Sequence, residues 1–107
     1  MSANSSSRRQ KLEAFLAAHP ADSFGRYGLA MECVREGDSD GALEHFRLLL
    51  ESHPDYVVGY FHYGQLLAKL GREEQARAVL EAGIVAAENG GDAHAVSEMR
   101  GALDALA

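Results

Sequence analysis

A separation of 34 residues recurs through this chain of 107. Pro20 and Pro54 stand 34 apart, as do Gly37 and Gly71, His19 and His53, Ala42 and Ala76, and Gly25 and Gly59. Leu12, Phe46 and Leu80 fall in the same register, and so do Leu16, Leu50 and Ile84. Landmarks that coincide on one offset point to a stacked array. A unit of roughly 20 to 50 residues cannot bury its apolar face alone, so its neighbours must cover it.

The punctuation says what each unit is made of. His19-Pro20, Gly37-Asp38, His53-Pro54, Gly71-Arg72 and Gly90-Gly91-Asp92 separate the periodic stretches. A residue ahead of Pro is pushed out of the α region, and Gly just past a helix accepts a left-handed turn. Asp22, Asp38, Asp55 and Asp92 open the stretches, where a carboxylate accepts orphan amide protons. No stretch alternates apolar and polar residues for long enough to read as a strand. The spacing predicts helices over 8–18, 23–36, 39–52, 55–70, 73–89 and 92–106.

The first helix places Leu12, Phe15 and Leu16 on one face, and the third turns Ala42, Leu43, Phe46, Leu49 and Leu50 inward. The fourth is apolar nearly all round. It has Tyr56, Tyr60, Tyr63, Leu67 and Leu70 on one side and Val58 and Phe61 opposite, the pattern of a helix sandwiched between neighbours. The last carries a single narrow stripe, Val96, Met99, Leu103 and Leu106, as a terminal cap requires.

Hydrophobic residues make up 47% of the chain and charged ones 24%, which marks a globular rather than a disordered sequence of one domain. Cys33 is the one cysteine, so an internal disulfide and a cysteine-rich metal site are excluded. Wholly apolar runs are only a few residues long, far short of a bilayer span, and the opening MSANSSSRRQ lacks the apolar core of a secretory signal. The expectation is a cytoplasmic protein that does not enter membranes. Ten basic and sixteen acidic residues give a net charge of −6, although Arg8, Arg9 and Lys11 make the first eleven residues basic. Phosphates need a basic face, so nucleic acid is disfavoured and neutral or basic protein surfaces are favoured.

With these landmarks in place, the chain resembles the tetratricopeptide repeat family. That family repeats a helix–turn–helix unit of about 34 residues with an aromatic, Leu-Gly, Tyr, Ala, aromatic and Pro pattern. Residues 23–56 supply Arg26, Leu29-Ala30, Cys33, Ala42, Phe46 and Pro54, and residues 57–90 supply Tyr60, Tyr63-Gly64, Leu67, Ala76, Leu80 and Glu88. Arg26, Cys33 and Glu88 depart from the pattern, as irregular terminal units of a capped array do. Ala30 with Ala42, and Gly64 with Ala76, lie about equally far from their turns, so paired helices approach closely.

The resemblance implies an all-α, right-handed superhelical stack of antiparallel helix pairs. The expected organisation is a flexible tail over 1–7, a leading half-repeat helix over 8–19, repeats over 20–53 and 54–89, and a capping helix over 92–106. It also implies a non-catalytic module that binds a partner protein or peptide. In the family, the first helix of each repeat lines a concave groove. Here that stripe is Phe24, Tyr27, Gly28, Met31 and Arg35, repeated 34 residues later as Val58, Phe61, His62, Gln65 and Lys69. The version that clamps a terminal carboxylate with Lys and Asn is disfavoured, because Tyr27, Met31, Phe61 and Gln65 stand there instead. Two readings of the stripe stay open: a groove for an apolar anchor with Arg35 and Lys69 at its edge, or core packed between front helices. Self-association through repeat ends or the apolar front face is the alternative to an adaptor.

Nothing in the sequence calls for chemistry. No GxSxG, HExxH, P-loop or dinucleotide fingerprint occurs. His19 and His53 recur ahead of Pro, where an imidazole near helix-terminal carbonyls is favourable, and His45, His62 and His94 form no i, i+4 ligand pair. Cys33 reads as a small core residue. No enzyme activity, metal or cofactor is expected.

Overall fold

The computed structural model describes residues 7–106, and every regular element among them is a helix. In chain order these are α1 (Ser7–Ala18), α2 (Ser23–Glu36), α3 (Ser39–Ser52), α4 (Val57–Lys69), α5 (Glu73–Asn89) and α6 (Ala93–Asp104). Residues 1–6 of the expected tail lie outside the described residues, and Ser7 belongs to α1 rather than to the tail. The helices form two compact units, Met1–Ser52 with α1 to α3 and His53–Ala107 with α4 to α6.

Local chemistry sets the helix ends. Asp22 accepts from the Gly25 amide at 2.7 Å, Asp38 from Gly41 at 3.0 Å and Asp92 from Ala95 at 3.0 Å. Asp55 does not act this way. Tyr56 holds the N-cap position of α4 without a side-chain bond, and Asp55 precedes it, one residue too early to cap. The helix therefore begins at Val57, two residues later than the spacing predicts. The Pro54 turn is closed instead by the Tyr56 amide donating to the His53 carbonyl at 3.0 Å and by the Tyr60 hydroxyl donating to the Pro54 carbonyl at 2.7 Å.

At the other ends, Gly37 and Gly71 adopt φ 80° and 79°, which side chains with a Cβ resist. The next amide then returns to a carbonyl five residues back, Asp38 to Cys33 and Arg72 to Leu67, each at 2.9 Å. The period of 34 is thus realised as one backbone device, which recurs at Gly91, where the Asp92 amide returns to the Ala87 carbonyl at 2.8 Å. α6 ends at Asp104, earlier than expected, and a turn brings Leu106 back as a buried residue.

In the first unit α2 packs against both α1 and α3. Leu29, Ala30 and Cys33 of α2 are buried, as are Ala42, Phe46 and Leu49 of α3. Phe15, which shares a face with Leu12 and Leu16, is 42% exposed. It lies across the start of α2, where a Cβ on Gly25 would stand 2.9 Å from its ring, and its ring centroid is 4.7 Å from that of His19. Arg9 ties three segments together through Glu13 at 3.1 Å, Glu36 at 3.0 Å and Asp38 at 3.1 Å. The Gly41 amide, followed by Arg9, holds the Asp38 carboxyl below the usual carboxylate range.

In the second unit α4 packs on α5 and α6, and α5 packs on α6. The Leu67 side of α4 is buried, whereas Val58 on the opposite side is 41% exposed, so the helix is not enclosed on both sides as expected. Small residues allow the close approach. A Cβ on Gly64 would stand 2.6 Å from Leu80, and one on Gly83 would stand 2.5 Å from Tyr60 Cβ and from Met99 Sδ. Leu70, expected on the same side of α4 as Leu67, is 38% exposed because it forms the C-cap beyond the last turn.

Candidate binding faces

The front stripe of α2 runs through Phe24, Tyr27, Gly28, Met31 and Arg35 at intervals that keep it on one side of a 3.6-residue helix. Phe24 is 75% exposed, Tyr27 and Met31 are half-buried, and Arg35 is exposed. Together with Arg8 and Leu12 of α1, and with Glu32 and Val34 of α2, these residues line a cleft of about 660 Å³. Gly28 lets α1 come close here, because a Cβ at that position would meet Leu12 at 3.4 Å. All the first-repeat residues expected from the sequence, Phe24, Tyr27, Met31 and Arg35, fall in this one cleft.

The matching stripe of α4 lies in the second unit. Val58 is exposed, Phe61 and His62 are half-buried, and Gln65 and Lys69 are exposed. The Phe61 and His62 rings meet edge to face with centroids 5.4 Å apart. Burial pushes the His62 imidazole below its ordinary value, and the charge of Glu98 on α6 works weakly the other way. None of the nine expected residues is fully buried.

Arg8, Leu12, Glu32 and Val34 are additions that sequence reasoning missed. Glu32 is the informative one, since it is 3% exposed while carrying a charge. A buried carboxylate persists only when paired. One of its oxygens lies 3.4 Å from Arg8 Nε, and the other accepts from Arg35 Nη2. Glu32 in turn raises the pKa of Arg35. The i, i+3 spacing of Glu32 and Arg35 is visible in the sequence, but the burial of Glu32 depends on where α1 lies.

Other reactive side chains are occupied. The Cys33 thiol is fully buried, and burial pushes its pKa up, away from the nucleophilic thiolate. Arg26, at a position where the resemblance expects an aromatic, reaches across to α3. Its Nη1 lies 3.1 Å from His45 Nδ1, and its Nη2 donates to the Pro20 carbonyl at 3.3 Å. Burial first, and Arg26 second, push the His45 pKa down. A smaller cleft of about 350 Å³ lies in the second unit beside Glu88, Asp92, Val96 and Arg100. Among the described residues no three His, Cys, Asp or Glu side chains are grouped as metal ligands would be. No helix among them is long and apolar enough to cross a membrane.

This geometry can be set beside known proteins. The tetratricopeptide repeat family profile matches residues 34–100. A tetratricopeptide repeat domain protein from Salinibacter ruber is similar in its crystal structure, with 35% identity over 79% of this chain and 94% of that one, at a TM-score of 0.75. Its solution structure gives 36% identity over 81% and 88%, at 0.78. The solution structure of a Bordetella parapertussis protein is 30% identical over 95% of this chain and 89% of its own, at 0.81. No curated protein matches the chain.

Proposed function

The chain belongs to the tetratricopeptide repeat family, an all-α family of protein-interaction modules, and from that premise we propose that it is a small adaptor holding a partner protein or peptide against the front faces of α2 and α4. In this reading 20–53 and 54–89 are the two repeats, 8–19 is a leading half repeat and 92–106 is a cap. The module is cytoplasmic and has no catalysis of its own.

One observation carries the proposal. Phe24 and Tyr27 recur 34 residues later as Val58 and Phe61, Met31 joins them on the first face, and all five of these large apolar or aromatic residues stay at least partly exposed. Aromatic residues that a fold leaves accessible on one helix face are typical anchors of a binding surface. Arg35 and Lys69 supply cations at the C-terminal end of each face.

The test compares stability with capture. Tyr27→Ala and Phe61→Ala remove contact area without opening a core cavity, so each single variant should lose less than ~2 kcal/mol in urea denaturation, whereas a core aromatic loses about 3–5. The double variant should retain much less partner protein from native cell extract than the parent does. A loss above ~3 kcal/mol at both positions would mean that the faces are core and would end the groove reading. A parent chain that sediments as a homo-oligomer through these faces would replace the adaptor with a self-assembly module.

A further inference from the structure

We propose that the cleft between α1 and α2 is a subsite for an acidic peptide segment. A bulky apolar side chain of the partner sits on Leu12, Tyr27 and Met31, and a neighbouring partner carboxylate sits on Arg8 and Arg35. The proposal rests on the reading that the front face of α2 meets a partner, and it adds what that partner must carry.

Size and lining come first. A volume of about 660 Å³ with a floor of Leu12, Phe24, Tyr27 and Met31 holds a few side chains rather than a large ligand. Charge decides the rest. Two guanidinium groups share the single buried carboxylate of Glu32, so these three side chains carry a net positive charge on a chain of net −6. The Arg8 and Arg35 side chains are 74% and 62% exposed, so each presents much of its donor fork to water.

Arg9, one residue from Arg8, shows what a purely structural arginine looks like here. Its side chain is 18% exposed and meets three carboxylates. Glu32 does the opposite, because it anchors two arginines without covering them. Anchoring restricts their rotamers before a ligand arrives, which lowers the ordering cost of a charge-assisted hydrogen bond at the cleft mouth. A basic segment would meet two guanidinium groups and be repelled, and a neutral one would gain only the apolar floor.

The probe is an acetylated and amidated peptide in which Leu and Phe are flanked by Asp, paired with the same peptide carrying Asn in place of every Asp. Both are titrated into the isotope-labelled full chain and followed by amide and arginine Nε resonances. The Asp peptide should move the Arg8, Leu12, Tyr27, Glu32 and Arg35 signals and bind about five- to tenfold tighter at low salt, with the advantage shrinking at ~0.3 M salt. Arg35→Gln, which leaves Arg8 to pair Glu32, should reduce the Asp-over-Asn preference to about twofold or less.

Equal binding of both peptides on α2 would overturn the acidic subsite and leave the adaptor reading standing. Shifts confined to other helices would overturn it as well. No binding of either peptide would also overturn it, with the adaptor reading then resting on the Tyr27 and Phe61 capture result. Concentration-dependent broadening of the cleft signals without peptide would assign the cleft to a second copy of the chain and likewise overturn the proposal.

Discussion

Replacing Gly83 and Gly101 separately by Ala should move stability in opposite directions. Both glycines lie inside helices, so Ala at either site recovers up to ~1 kcal/mol of backbone entropy and helix propensity. The surroundings differ. Nothing stands within 4 Å of a Cβ built on Gly101, so that variant should keep most of the gain, about 0.5–1 kcal/mol. On Gly83 the new methyl would lie 2.5 Å from Tyr60 Cβ and 2.5 Å from Met99 Sδ, whereas apolar carbons rest at about 3.5–4.0 Å.

The Met99 thioether is flexible but fully buried, and Tyr60 Cβ moves only with the α4 backbone. α4 and α5 must therefore separate by about an ångström, the kind of overpacking that costs about 1–3 kcal/mol. Subtracting the propensity gain leaves a net loss of about 1–2 kcal/mol for Gly83→Ala. Thermal melts followed by helical circular dichroism resolve this, since ~1 kcal/mol moves the midpoint of a chain this size by about 4–8 °C. Gly83→Ala melting at or above the parent would refute the close α4–α5–α6 packing on which the estimate stands.

Ala42→Leu and Ala76→Leu place larger side chains at fully buried positions 34 residues apart and should each cost about 1–3 kcal/mol in urea denaturation. Parent-like curves for both would remove the helix-pair register. Stability should also fall as the medium is acidified. The folded-state pKa values of His45 and His62 are depressed, so the unfolded chain binds their protons first. The stabilisation is present above about pH 6.5 and is lost as pH drops from there through the lower folded values. Urea midpoints measured between pH 7.5 and pH 5 should show this slope, and His45→Gln should flatten it. An unchanged slope in that variant would mean that the buried His45 does not contribute to the pH dependence.

Helices, turns and most caps were legible in the sequence because short-range interactions decide them. Asp22, Asp38 and Asp92 cap within three residues of themselves, and Gly37 and Gly71 close turns with carbonyls a few residues behind. The period of 34 exposed the repeat for the same reason, since each repeat solves the same local problem in the same order. The stripe of Phe24, Tyr27, Met31 and Arg35 was equally readable, because helical spacing alone places it on one face.

Long-range packing decided what lies beside that stripe. Sequence alone treats a charged residue such as Glu32 as solvent-facing. It is buried because α1 brings Arg8 and Leu12, 24 and 20 positions earlier in the chain, to the same cleft. Phe15 stayed exposed although it shares a face with the buried Leu16, since α1 offers only one flank to α2 and Phe15 lies at its edge. Asp55 lost its capping role because the Pro54 turn closes through Tyr56 and Tyr60 instead. In each case the deciding partner lies on another helix or across a turn. A side chain's spacing gives its direction around its own helix, but its burial and charge environment depend on which neighbour arrives there.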